Sequence, residues 1–333
     1  MRREKWMVVF LVGAVSFVLM GPHITIAATQ NELLQLVKMR SEILKEGKVS
    51  LRVFRYYWKN ENDYKTFTEK LKVFNTTPPN QFLKWLSEEK GISLSKAMLV
   101  GNENQTYFFK GNSDHLISDW NFDEIDYVFV EKKGEYLFRP TIPERIIKIT
   151  HSEYSTNGST ICAYRTVNSK GIMNIGSRIS YFKVSNVDLA LLYYKQLPEA
   201  NISLNFIAEN NKCIYQSTEV NDMKLQLIFD VSLAGVIPYL KIAEKNGKIL
   251  RETISGAFSK VNDNIHLPFF TSTTIPTTNV FLKDVVLEQT LYIIDNWELR
   301  PVTSEELLIH PLKNTTVSDQ TFGEPTLNYP YIP

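Results

Sequence analysis

"IPYLKIAEKNGKILRETISGAF", residues Ile237–Phe258, sets two half-apolar runs on either side of a tight turn. A catalytic loop would gather reactive side chains at its tip, and this tip holds only Lys245, Asn246 and Gly247 between Glu244 and Lys248. Two registers are open. A two-residue Asn246–Gly247 loop sets Ile242 opposite Arg251 and Glu244 opposite Ile249. A three-residue Lys245–Asn246–Gly247 loop, with Gly247 left-handed, sets Ile242 opposite Leu250 and Glu244 opposite Lys248. The second pairs like with like across the strands, each pair contributing roughly a few tenths of a kcal/mol or more. Such matching fixes register wherever one face is buried. The stretch therefore reads as architecture, a hairpin with one face toward a core or cavity and the other toward water.

Strand patterns surround it. "KVSLRVFRYYW" has period two, with Val49, Leu51 and Val53 on one side and Ser50, Arg52 and Phe54 on the other. "QTYFFKG", "PERIIKIT", "TICAYRTV", "ISLNFIAENNKCIYQ", "KLQLIFDV" and "VVLEQTLYII" continue the series, and "DYVFVEKKGEYLFRP" reads as a hairpin turning near Lys133–Gly134. Helices are few. Thr29 and Glu32 form a capping box ahead of Leu33, Leu36, Val37, Ile43 and Leu44 at helical spacing, with Gly47 as a stop. "DYKTFTEKLKVF" and "PPNQFLKWLSEEKG" make a helical insertion near residues 60–96, Pro78 and Pro79 standing where a helix start tolerates proline. "SNVDLALLYYKQL" is one further short helix ended by Pro198. The fold class is mainly β with α, an α+β chain.

Residues 1–27 read as a signal peptide: Arg2, Arg3 and Lys5, then the uncharged run Trp6–Met20, then small residues at Thr25 and Ala27. The apolar run of about 15 residues is short for a bilayer span of roughly 20. Export to the periplasm or beyond is expected, with no integral membrane segment after cleavage. No Cys stands at the junction to take a lipid. Residues 28–320 read as a single domain, and 321–333 as a proline-rich irregular tail. The whole chain carries 37 basic and 36 acidic residues. That balance argues against nucleic acid as a partner, since its capture relies on clustered Lys and Arg. Cys162 and Cys213 both sit in strand-like runs; in an oxidising compartment they are a possible disulfide, and two buried thiols are the alternative.

From Lys224 to Thr273 the chain resembles proteins related to the bacterial outer-membrane lipoprotein carriers and sorting proteins (LolA/LolB-like). The resemblance rests on Asp230 ending a strand, Gly235, the polar turn at Asn246–Gly247, and Leu267 before Pro268. "VVLEQTLYIIDN" and "TSEELLIHPLKNTTVSD" look like the closing strand and tail of exported relatives. It covers about 100 residues well and perhaps 220 loosely. It implies a strongly curved antiparallel sheet forming an unclosed half-barrel, with helices plugging or covering it, whose concave side binds acyl chains. Residues 60–96 depart from the compact carriers.

Other constellations read blandly. "NSDHLISDWNFDEID" gathers Asp114, His115, Asp119, Asp123, Glu124 and Asp126 without the spacing of a calcium loop, and reads as a solvated acidic loop. His115, His151, His266 and His310 are scattered, none in an H-E-x-x-H pair. No G-x-S-x-G elbow, phosphate loop or G-x-G-x-x-G is present. Neither catalytic nor metal residues nor cofactors are expected. Five N-x-S/T triplets, at Asn75, Asn104, Asn157, Asn201 and Asn314, are attributed to the chain's wealth of Asn, Ser and Thr. The expectation is a non-enzymatic carrier or sensor of lipid or acyl groups. A filled-barrel interaction module with an envelope protein partner is the alternative, and a carbohydrate-acting enzyme the third reading.

Overall fold

The computed structural model describes residues 30–74, 77–121, 127–132, 135–140, 149–158, 160–167, 170–176, 204–209, 212–217, 223–230, 233, 236–244, 246–262, 265–277, 285–319 and 327–331. The expected signal peptide, Thr29, the helix at residues 185–197, Gly235 and residues 321–326 of the tail lie outside them. Among the described residues three α-helices form: α1 (Gln30–Ile43), α2 (Glu61–Lys72) and α3 (Pro79–Ile92). The first ten strands are β1 (Glu46–Trp58), β2 (Ala97–Lys110), β3 (Ser113–Trp120), β4 (Tyr127–Lys132), β5 (Glu135–Pro140), β6 (Ile149–Thr156), β7 (Ile161–Val167), β8 (Lys170–Ile175), β9 (Leu204–Glu209) and β10 (Lys212–Ser217). Then follow β11 (Met223–Asp230), β12 (Val236–Glu244), β13 (Ile249–Gly256), β14 (Ser259–Asn262), β15 (Ile265–Leu267), β16 (Phe270–Pro276), β17 (Leu287–Glu298), β18 (Thr316–Asp319) and β19 (Leu327–Pro330).

Fifteen strands make one sheet in the order β19-β18-β8-β7-β6-β3-β2-β1-β17-β16-β13-β12-β11-β10-β9. The sheet is curved and does not close into a barrel, since β19 and β9 remain separate edges. Neighbours are antiparallel except β8 and β18. β14–β15 and β4–β5 form separate hairpins, the latter turning between Lys132 and Glu135 as the sequence indicates. Strand β19 corrects the reading of the tail as irregular, because Leu327–Pro330 pair with β18.

β1 is the middle strand and explains the layering. Side chains alternate across a strand, so its odd positions share one face and its even positions the other. Val49, Leu51 and Val53 are buried on the odd face, whereas Phe54, Tyr56 and Trp58 are buried on the even face. Directly paired residues project to the same side, which extends both faces across the sheet. The odd face continues through Tyr107, Leu116 and Ile294, one apolar cluster. The even face continues through Leu291, Ile293, Phe270 and Ile254, and there α2 and α3 pack.

The helical insertion forms where its periodicity put it. Asn60 caps α2, its Oδ1 accepting from Asn62 N at 2.8 Å, and Pro79 occupies the first turn of α3. Lys70 donates to Glu89 at 2.7 Å and Lys96 to Asp63 at 2.8 Å, joining α2 to α3 and to the turn beyond it. Phe67, Leu71, Phe82 and Leu86 then bury onto the even face, Phe82 stacking on Phe270 with ring centroids 4.2 Å apart. One polar latch accompanies the apolar contact. Buried Glu252 accepts from Tyr64 at 2.7 Å and from Tyr239 at 2.9 Å, with Lys72 Nζ 3.5 Å away.

The opening hairpin obeys both registers in turn. At its tip Glu244 N donates to Lys248 O at 2.8 Å and Gly247 has φ +89°, as the three-residue turn requires. Ala243 then faces Ile249, but Ile242 faces Arg251, so a bulge at Leu250 corrects the expected Ile242–Leu250 pair. The bulge re-aims β13. It sets Glu252 opposite Lys241 and Ile254 opposite Tyr239, on the even face where α2 waits. A Cβ on Gly247 would meet nothing within 4 Å, so only the backbone conformation resists substitution. Gly247→Val is expected to lower the unfolding free energy by about 1–2 kcal/mol. Urea denaturation measures it; an unchanged midpoint would refute the turn geometry.

Residues 113–120 correct a second expectation. They are β3, an interior strand, rather than a solvated acidic loop. Leu116 and Ser118 bury on one side and His115 on the other. Asp119 is tolerated because His151 faces it. The remaining acidic positions, Asp123, Glu124 and Asp126, lie outside the described residues.

Candidate functional site

Two polar clusters stand out, one on each face. On the even face Asp119, His151, Glu153 and His115 form a chain. His151 Nδ1 lies 2.6 Å from Asp119 and its Nε2 2.8 Å from Glu153; His115 Nε2 lies 3.0 Å from Glu153 and its Nδ1 2.8 Å from the Glu306 carbonyl. Asp119 and Glu153 both accept, so the His151 ring donates from both of its nitrogens. The bond to Glu153 pushes His151 up to about 9, against burial and with help from Asp119. Burial raises the Glu153 carboxyl, but the bonds from His115 and His151 outweigh it and hold it at about 2.

This chain fastens a strap. Residues 299–315 cross the even face of β2, β3, β6 and β7, and the sheet's side chains hold mostly the strap's backbone. Lys110 donates to Val302 O at 2.8 Å, Ser155 to Leu307 O at 2.8 Å, and Leu312 N donates to the Tyr164 hydroxyl at 3.2 Å. Arg300 grips Glu306 at 2.6 Å from within the strap. The cluster is therefore structural, and among the described residues no group of three or more His, Cys, Asp or Glu is arranged for a metal ion.

Its pH dependence follows. The raised His151 stabilises fully below its ordinary 6.5 and ceases to as pH rises through about 9. The depressed Glu153 stabilises fully above its ordinary 4.5 and ceases to as pH falls through about 2. Stability from the pair is greatest between those ordinary values, on the order of 2 kcal/mol after discounting for the water-accessible His151. Urea titrations at about pH 5.5 and about pH 10 are expected to show a smaller alkaline loss in His151→Gln than in the parent protein. Equal losses would contradict the assigned chain.

The odd face carries the other cluster, centred on Arg55. Buried Glu103 accepts from Arg55 Nη1, from Gln105 at 2.8 Å and from Ser118 at 2.5 Å. The guanidinium lies over the Trp120 ring, 5.5 Å from its centroid. Gly101 makes room: a Cβ there would stand 3.1–3.2 Å from Arg55 Nη1, Cβ and Cγ. Burial pushes the guanidinium below its ordinary value, with Tyr292, Tyr57 and Tyr154 opposing. Yet 37% of the Arg55 side chain remains accessible. The group is thus enclosed in part by protein and still touched by water. Tyr154 stands three strands from Arg55 in the sheet, yet the two interact electrostatically. Tyr57, Trp120, Tyr154 and Tyr292 are half-buried around Arg55, and Tyr154 and Tyr292 pack on the apolar cluster of Val49, Leu51 and Val53.

The residues singled out in the sequence lie elsewhere. Cys162, half-buried on β7, is a free thiol raised by burial and then by Asp319, so it makes no bridge. Cys213 lies on β10, with nine strands between in the sheet order. His266 is on β15 and His310 is on the strap, 3.4 Å from Glu305. Asp230 ends β11, and Leu267 ends β15 just before Pro268. Arg55, Glu103 and Trp120 were not anticipated. Their signal was Arg55 itself, a charge continuing the Val49–Leu51–Val53 side of "KVSLRVFRYYW".

No family model matches the chain, and no curated protein matches it. Solved structures do. A LolA superfamily protein from Nitrosomonas europaea is 10% identical with a TM-score of 0.41, over 85% of this chain and 99% of that one. A DUF1329 family protein from Desulfovibrio piger is 9% identical with a TM-score of 0.40, over 84% and 97%. A domain assigned to outer membrane lipoprotein-sorting proteins, from Vibrio parahaemolyticus, is 8% identical with a TM-score of 0.35, over 82% and 95%. The first and third carry the family description that residues 224–273 resemble. Similarity of this degree bears on neither ligand nor activity.

Proposed function

We propose that the protein is an exported, non-enzymatic binder of lipophilic or acyl-bearing groups, working in the cell envelope by reversible burial against the odd face. One observation carries this reading: four half-buried aromatic side chains, Tyr57, Trp120, Tyr154 and Tyr292, share the odd face with the partly accessible Arg55. Aromatic walls suit an apolar body, and an acyl chain gains about 0.8 kcal/mol per methylene moved out of water. Affinity of this kind needs no reactive machinery. No described helix is long and apolar enough to cross a membrane.

A filled interaction module is the second reading, favoured by the even face, where Phe67 and Phe82 already occupy the apolar surface. Mass spectrometry of lipids released from the full protein after export-directed expression separates the two. A stoichiometric acyl-bearing species is expected. Protein that emerges lipid-free, and stays empty after incubation with lipid micelles, would overturn the binding reading in favour of the module.

A further inference from the structure

We propose that the odd face recognises an amphiphile by its oxyanion head, a carboxylate or phosphate taken by the Arg55 guanidinium. The inference rests on the binding function proposed above and names the chemistry of the ligand. Arg55 uses Nη1 on Glu103, and among the described residues no group accepts from its Nε or Nη2. A guanidinium presents its donors as a planar fork that matches a carboxylate or phosphate through two parallel bonds. The remaining edge of Arg55 is such a fork, on a side chain that is 37% accessible.

Its surroundings hold the fork in place. Trp120 covers one face of the guanidinium, and the stem lies against Gly101. Glu103 is saturated from behind by Ser118 and Gln105 as well as by Arg55, so its charge is spread over three donors. Tyr154 and Tyr292 lie near enough to act on the guanidinium's charge and also pack on the apolar cluster. An apolar body leaving the head would run along those rings. Neither a neutral lipid nor a bare cation exploits this arrangement.

The test compares probes sharing one tail: a pyrene-labelled fatty acid, its methyl ester, and the corresponding alkyl phosphate, with inorganic phosphate and acetate as free anions. Full-length protein is expected to bind the acid and the alkyl phosphate about tenfold or more tightly than the ester, the difference one charged hydrogen bond makes. Arg55→Met, which keeps the stem, is expected to abolish that preference while still binding the ester; Arg55→Lys is expected to restore part of it. Should Arg55→Met fail to fold by circular dichroism, Gly101→Ala displaces the guanidinium without removing it and is expected to reduce the preference. Equal binding of acid and ester overturns the oxyanion head and leaves lipophile binding standing. Failure of every tailed probe to bind overturns both. Tight binding of phosphate or acetate alone, with no gain from the tail, overturns the amphiphile in favour of a free anion.

Discussion

Truncating Phe82 to alanine is expected to lower the unfolding free energy by about 3–5 kcal/mol, the usual range for a fully buried aromatic. Phe82 has no accessible surface, and its ring stacks on Phe270 while also meeting Phe74 and Trp85. It packs α3 on the sheet, and its neighbours are held by partners of their own. Phe67 packs on Trp58, and Tyr64 is tied to Glu252. Collapse into the vacated volume is therefore limited, and the cavity contribution remains. Chemical denaturation measures the loss. A change below about 1 kcal/mol would show that the helical insertion sits on the sheet far more loosely than these contacts imply. Because Phe82 is on the even face, binding of acylated probes by the folded variant is expected to be unchanged.

Gly256→Val is expected to destabilise by about 3 kcal/mol or more, the upper end of overpacking effects. A Cβ at this position would stand 2.7 Å from two ring carbons of Phe270 and 2.7 Å from the Phe74 carbonyl. Neither neighbour can give. Phe270 is wholly buried beneath Phe82, and the Phe74 carbonyl accepts from Ala257 N at 2.5 Å. That bond joins the connection between α2 and α3 to the end of β13. A well-folded variant with parental stability would mean that this connection moves away from the sheet without cost. Gly256→Ala places the same Cβ in the same gap and is expected to lie between the two.

The two variants probe what local sequence made plain. α2 and α3 were legible because Tyr64, Phe67 and Leu71 recur at helical spacing and prolines mark the second start. Tertiary demand remained hidden. The bulge at Leu250 exists because Glu252 and Ile254 must meet α2, a requirement invisible to strand-by-strand matching. The sequence reads β3 as an acidic loop because His115 and Asp119 look uncompensated there, whereas their partners stand about 35 residues later at Glu153 and His151. Arg55 was in view within a correctly read strand. Nothing local distinguishes a charge facing solvent from one partly enclosed by residues of strands farther along the chain.

The central position of β1 has a consequence for how the protein is made. On one side β1 pairs with β17, and Lys48 meets Glu298 across a separation of 250 residues. Closing such a loop is entropically costly and slow. Until β17 has emerged, one edge of β1 has no permanent neighbour, and exposed strand edges invite pairing with other chains. Six of the 15 strands, β1, β2, β3, β6, β7 and β8, can assemble around β2 before that moment, whereas their union with the strands beyond β17 depends on the last part of the chain. A truncation just before Leu287 would leave two partial sheets seeking each other's missing edge, and self-association would then compete with folding.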